Sequence, residues 1–346
     1  MVYVSSPSIT SVSRQNVLQV QSKLSDAQSE LASGVYADVG LTLGARSSQL
    51  VALQQQQASL ATYQTNNTLA TTRLSSTVTS LDSIRTAASS FLSALTTASS
   101  SGGLTTSLQT NASSSLAAMT SALNISVSGQ YIFGGINTAV QPVTTYTSTA
   151  ANKTAIDAAF SSSFGTSQTS SSAGSISGTD MQSFLSGSFA SMFTASNFTT
   201  NWSSASSTPI SSEISSGQTI NTSVSANEAP FRQLSQAYAM VTEFGGSNFG
   251  SAASAAVLSA ATSLVSSAIN NLTTLQAGVG IAQTAVSDAD TALSTQSDIL
   301  STQVDAMAGV NQTDLSTSIA TLQTQLNATY SVTAQLQKLS LVNYLG

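Results

Sequence analysis

The chain has 346 residues, only 6% of them charged, with a formal net charge of −6 and neither cysteine nor histidine. That composition excludes disulfide frameworks, thiolate metal sites, cysteine nucleophiles and Ser-His-Asp triads. The acidic balance, with eight scattered Lys and Arg residues, argues against nucleic acid and anionic membrane as partners. A charged fraction about a quarter of the usual one leaves solubility to hydroxyls and amides. Such a surface repels its own copies weakly, which suits self-association.

The start, "MVYVSSPSITSVSRQNVL", lacks a basic segment followed by an apolar one, so a cleaved secretory signal is not expected. No run approaches 18 apolar residues, so no membrane insertion is expected. Val17, Val20, Leu24, Ala27 and Leu31 follow one another at three, four, three and four residues, which is a heptad seam. The rhythm stops at Gly34, where glycine can end a helix in the left-handed conformation. Gly40 and Gly44 extend the break, so Gly34, Gly40 and Gly44 are read as a hinge.

The pattern restarts at Leu50 and keeps the alternation through Leu53, Gln57, Leu60, Gln64, Asn67, Thr71, Leu74, Val78, Leu81, Arg85, Ala88, Leu92 and Leu95. A helix from Ser48 to Thr97 would be about 75 Å long at ~1.5 Å per residue. Its polar seam residues lower stability and fix register. A turn at Ser100 to Gly103 leads to a second helical segment with Leu104, Leu108, Leu116, Met119 and Leu123 on one side. The short connection predicts an antiparallel hairpin. Tyr131, Ile132 and Phe133, followed by Gly134 and Gly135, read as a short strand between turns.

Residues 139–227 are rich in Ser and Thr and hold the single tryptophan and most of the phenylalanines. Met181, Phe184, Leu185, Phe189, Met192 and Phe193 fall on one helical face. Ile210 and Ile214, a turn at Ser216 and Gly217, then Ile220, Thr222 and Val224 predict a β-hairpin. The aromatics supply a core, so a folded α+β or β-rich insertion is expected rather than a disordered tract.

Helical rhythm resumes at Phe231, Leu234, Ala237 and Tyr238, breaks at "FGGSNFGS", and runs from Ala252 to Met307. Gly278 and Gly280 mark a weak point in that helix. They lack a preceding strand and a third glycine, so they are no nucleotide loop. Gly309 punctuates again, as a hinge matching the first. The last segment carries Leu315, Ile319, Leu322, Leu326, Val332, Leu336 and Leu339. No Ser-x-x-Lys pair occurs, and Asp288 and Asp290 sit two apart on a helix, where they point away from each other. No enzyme, cofactor or metal site is expected.

The layout is nested. Neither terminal seam can hide its apolar stripe alone, yet the two match in length and period. The expected fold is mainly α: a long antiparallel coiled-coil or helical-bundle rod formed by both terminal thirds, with a small inserted outer domain. Residues 1–46 and 310–346 would form inner paired helices, 47–137 and 228–309 the rod, and 138–227 the insertion.

Four stretches carry a resemblance: "LASGVYADVGLTLGARSSQL", "GQYIFGGINT", "SANEAPFRQL" and "LNATYSVTAQLQKLSLVNYL". In this order they resemble the flagellin superfamily of bacterial axial proteins, and within it the hook-associated proteins of the hook–filament junction, in their alphaproteobacterial form. The "YADVGL" run matches that form, while the family's Asp-Asp-Pro-Ala loop is replaced by "GLTLGA". The resemblance implies a structural subunit outside the cell, in the flagellum, exported without a cleaved signal peptide through the flagellar type III apparatus. It implies copies of the chain in a ring, contact with a hook-side junction protein and with flagellin, and an export chaperone. Tyr131 to Gly135 would mark the passage from rod to outer domain. Filament flagellin is the nearest alternative. A secreted Ser/Thr-rich adhesin is a more distant one, since it leaves the matched terminal heptads unexplained.

Overall fold

The computed structural model describes residues 6–101, 103–246 and 248–345, and the side chains of residues 6–10, 101 and 336–345 lie outside that description. In chain order the helices are α1 (Ser6–Ser33), α2 (Val39–Leu43), α3 (Ser47–Ser101), α4 (Thr106–Leu123), α5 (Ala151–Phe164), α6 (Gly178–Phe184), α7 (Ala195–Asn201), α8 (Ala229–Phe244), α9 (Ser251–Ala308) and α10 (Gln312–Leu345). Strands β1 (Ser126–Val127) and β2 (Gln130–Tyr131) form one antiparallel hairpin. Strands β3 (Ser211–Ser215) and β4 (Gln218–Asn221) form another. The chain is therefore mainly helical, with long helices and small sheets. It divides into two compact units, Met1–Thr62 with Leu293–Gly346, and Tyr63–Ala292.

The Ser/Thr-rich helices satisfy their hydroxyls internally. Thr62, Thr68 and Thr72 each donate to the carbonyl four residues earlier at 2.9 Å. The same bond recurs along α10 at Ser316, Thr317, Thr321 and Thr324. Back-bonding of this kind lets a helix carry polar residues without charge.

In the first unit α1 packs against α10. A small apolar cluster joins Leu50, Met307 and Ala308, with Val39, Leu43, Leu53 and Val304 packed on it.

In the second unit α3 and α9 run antiparallel, since Asn67 bonds Asp290 at 2.9 Å and Ser75 meets Gln283 at 3.4 Å. The buried face of α3 in this unit is Asn67, Ala70, Leu74, Thr77, Leu81, Ile84, Ala88, Phe91, Leu95 and Ala98. This corrects the expected seam. Asn67, Leu74, Leu81, Ala88 and Leu95 are shared, but Thr71 is exposed and the alternate positions fall one residue earlier. Two three–four series share the same leucines, and burial of Phe91 against Tyr238, at 5.1 Å between rings, selects the series containing it. Arg85 pairs with Asp82 instead. The α4 helix lies closely against α8, and Arg73 of α3 donates to Gln130, just beyond the end of α4, at 3.1 Å, as expected where α4 turns back along α3. Ala112, Ala237 and Ala239, all fully buried, fit that close approach.

The α9 helix runs unbroken through Gly278 and Gly280, because Val279 between them is buried in the core. Its Ala-rich composition makes it apolar enough on average to cross a membrane, yet Ala253, Val257, Ala261, Val265, Ala268 and Leu272 are buried in the core of this unit. Residues 139–227 are folded. Phe160, Phe184 and Phe189 each contact Phe244 of α8, with ring centroids 5.4 to 5.6 Å apart. Met181 and Phe184 leave α6, and Leu185 and Phe189 continue through one π-helical turn. That turn keeps all four on the buried side despite Gly187. The aromatic core of the insertion is thereby continuous with the helical core of its unit.

Candidate assembly surfaces

The terminal helices α1 and α10 are antiparallel. Gln21 donates to the Tyr330 hydroxyl at 2.7 Å, and Val35 bridges Gly309 beyond their other ends. On α1, Ala27 is buried, Val17, Val20 and Leu24 are half-buried, and Leu31 is exposed. On α10, Leu315, Ile319, Leu322 and Leu326 are half-buried. Val332 is 52% exposed, and the half-buried positions at that level are Thr329 and Thr333. Three–four spacing onward from Leu326 leads to those threonines, so Val332 stands off the helix–helix line. The side chains of Leu336 and Leu339 lie outside the described residues. A two-helix pair covers each stripe from one side only, so Val12, Leu18 and Tyr330 also stay 46 to 61% exposed. Among the described residues no ion pair links α1 to α10.

The two breaks meet. Gly34 adopts φ +75°, and its carbonyl accepts the Val310 amide at 3.0 Å, while Tyr36 donates to the Ala308 carbonyl at 3.1 Å. The Glu30 carboxylate accepts the Ala37 amide at 3.0 Å. Gly309 has its backbone pressed against the preceding turn, where a Cβ would stand 2.4 Å from the Asp305 carbonyl. The α2 turn follows, capped by Asp38, whose Oδ1 accepts the Leu41 amide at 2.8 Å, and closed by Gly44 at φ +52°. Gly40 lies inside that turn. Val39 and Leu43 face the small cluster at Leu50 and Met307, while Leu41 is 84% exposed.

The expected strand at Tyr131 to Phe133 is shorter than the pattern suggested. Tyr131 ends β2, whereas Ile132, Phe133, Gly134 and Gly135 leave the hairpin and are buried. They form a crossing of three segments. The Phe133 carbonyl accepts the Ala226 amide at 2.8 Å, the Gly134 carbonyl accepts the Ser206 amide at 2.9 Å, and Ile136 donates to Thr208 at 3.1 Å. The Phe133 ring packs edge-on against Phe231. Asn227 ties the same place, donating to the Ala205 carbonyl at 2.8 Å and to Ser207 Oγ at 3.1 Å.

Sequence reasoning missed a charged cluster. Lys153 pairs with Asp157 and, at 3.0 Å, with Glu243, which also accepts from the Tyr146 hydroxyl at 2.8 Å. The spacing of Lys153 and Asp157 along α5 was legible, but Glu243 comes from α8. Burial works against the Lys153 ammonium, yet its two carboxylate partners outweigh it and hold its pKa above the ordinary lysine value. Burial, then the Glu243 charge, pushes the Tyr146 phenol well above its ordinary range. Both raised values have the same sign. Their stabilisation is complete below the unfolded values near 10.0 and 10.5 and is lost as pH rises beyond them. Lys153→Met should cost this unit about 2 kcal/mol at neutral pH, by leaving Glu243 without its cation. Melting followed by circular dichroism should show that loss, together with a weaker fall in stability above pH 10 than in the parent.

The carboxylates of the charged cluster, Asp157 and Glu243, are both tied to Lys153 by ion pairs. Among the described residues no group of three or more acidic side chains could hold a metal ion. What these places offer is apolar helix faces and closed backbone crossings.

The model of the bacterial flagellin N-terminal helical region matches residues 4–138, and that of the C-terminal helical region matches residues 262–345. A structure assigned as a flagellar hook-associated protein from Vibrio parahaemolyticus is 16% identical, over 76% of this chain and 97% of that one, with a TM-score of 0.52. FlgL of Bacillus cereus is 13% identical over 73% of this chain and 99% of its own, with a TM-score of 0.48. No curated protein matches the chain.

Proposed function

We propose, from the premise that this chain belongs to the flagellin superfamily, that it forms the junction between hook and filament. The superfamily is structural and not enzymatic, and its members self-assemble and contact other parts of the bacterial flagellum, an external organelle. The observation that carries the reading is the antiparallel α1/α10 pair, in which Val17, Val20, Leu24, Leu315, Ile319, Leu322 and Leu326 remain half-buried. In a tube of copies Val17, Val20, Leu24, Ala27 and Leu31, with Leu315, Ile319, Leu322, Leu326, Val332, Leu336 and Leu339, would be covered by neighbours. Residues 1–46 and 310–346 would be the inner layer, 47–137 and 228–309 the rod, and 138–227 the outer insertion. Gly34, Gly40, Gly44 and Gly309 would form the connection between layers. Tyr131 to Gly135 would anchor the insertion. In this reading the chain leaves the cell uncleaved with an export chaperone, and touches a hook-side junction protein below and flagellin above.

The "GQYIFGG" stretch and the terminal Leu339, Ser340 and Leu341 favour the junction over the bulk filament. The family models, both described as flagellin regions, favour filament subunit as the alternative. A fluorescently tagged copy imaged on intact flagella decides between them. A single focus at the filament base is expected, whereas label along the whole filament would make the chain a flagellin.

A further inference from the structure

Gly278 and Gly280 are unused by anything described above. A glycine inside a helix costs about 1 kcal/mol relative to alanine. A Cβ added at either position would meet nothing within 4 Å, so no contact inside the chain requires them. Gly278 lies in the wall of a groove of about 410 Å³, between Leu74 of α3, Leu275 and Val279 of α9, and Val224 and Pro230 at the entry to α8. A bare helix turn beside an apolar groove is what close approach by another backbone needs. Glu228 stands at the lip, exposed, with no ion pair among the described residues.

The other half of the fit is on α2. At 84%, Leu41 is the most exposed of the large apolar side chains described. It is also rigidly presented, since Asp38 and Gly44 close the turn and Val39 and Leu43 hold it on the small cluster. Arg46 follows, exposed and without an ion pair among the described residues. An apolar knob with a nearby cation matches an apolar groove with an anion at its lip.

We propose that the groove over Gly278 is the socket for the Leu41 turn of a second copy of this chain. Leu41 packs there on the half-buried Leu275 and Ala282 beside Gly278, and Arg46 meets Glu228. The inference rests on the self-assembly reading given under the proposed function. The contact is heterologous, so it propagates from copy to copy around a ring instead of closing a dimer.

The chain has no cysteine, so a disulfide between introduced ones is unambiguous. Leu41→Cys and Gly278→Cys are placed on separate, differently tagged copies, expressed together in the flagellated bacterium, and sheared flagella are mildly oxidised. Neither change disturbs the single chain, because one site is exposed and the other open. A covalent dimer carrying both tags is expected, and it should be absent when either cysteine is omitted. Gly278→Trp, which fills the groove, should lower incorporation into flagella about tenfold with unchanged helix content. Arg46→Glu should weaken incorporation, and Glu228→Arg should restore it. Flagella that contain both copies but yield no mixed dimer overturn the socket and leave self-assembly standing. Absence of the parent chain from flagella overturns both.

Discussion

Gly135→Ala is expected to lower the stability of the unit spanning Tyr63–Ala292 by about 3 kcal/mol. Gly135 adopts φ +59°, and a Cβ there would stand 2.3 Å from the Ser206 carbonyl and 2.6 Å from that of Thr208. The left-handed backbone alone costs an alanine about 1 kcal/mol. The remainder comes from displacing two backbone segments whose bonds, Ser206 N to Gly134 O and Ile136 N to Thr208 O, close the crossing. Each such bond contributes about 1 kcal/mol. Trp202, the single tryptophan, is buried beside Tyr146 and Phe198 and reports unfolding by fluorescence. A midpoint lowered by about 10 °C is expected. Gly217→Ala serves as the control. It shares the positive φ, at +75°, but a Cβ there meets nothing within 4 Å, so about 1 kcal/mol is expected. Equal losses at the two positions would show that crowding at the crossing contributes nothing.

Leu24→Asp is expected to abolish filament attachment while leaving the Trp202-monitored transition unchanged. Leu24 is half-buried against α10, and removing that burial weakens the pair by about 2 kcal/mol. A carboxylate covered by neighbouring copies would cost more still, since it would be buried without a partner. Val332→Asp separates the two contributions. Val332 is 52% exposed beside the α1/α10 line, so the single chain should tolerate the change. Lost attachment in that variant would assign Val332 to a face between copies, and full attachment would remove it from one. Cells carrying Leu24→Asp with normal attached filaments would refute the seam.

Much of the helical plan was legible because period and punctuation are local. The three–four spacing from Val17 to Leu31 and the glycines at 34 and 309 mark where helices run and stop, and α9 ends within one residue of the expected Met307. The misreadings arose where one pattern allowed two solutions. On α3, the spacing of Leu74, Leu81 and Ala88 alone could not choose between Val78 and Thr77, or between Leu92 and Phe91. The neighbour Tyr238 made that choice. Tyr131 to Phe133 read as a strand because apolar residues between glycines look extended, whereas Ile132 and Phe133 are buried at a crossing assembled from distant segments.

By itself the sequence determined a cysteine-free, weakly charged, mainly helical chain with matched heptads at its two ends, and it excluded the common catalytic constellations. Those properties depend on composition and on contacts within a few turns, which spacing reports directly. The tertiary structure alone decided that the two breaks close on each other through Gly34 and Val310. It also decided that Lys153 finds Glu243 and that Leu41 is left uncovered. Each of these depends on residues far apart in the chain, or on which side of a turn faces the core, and a one-dimensional pattern does not contain that information.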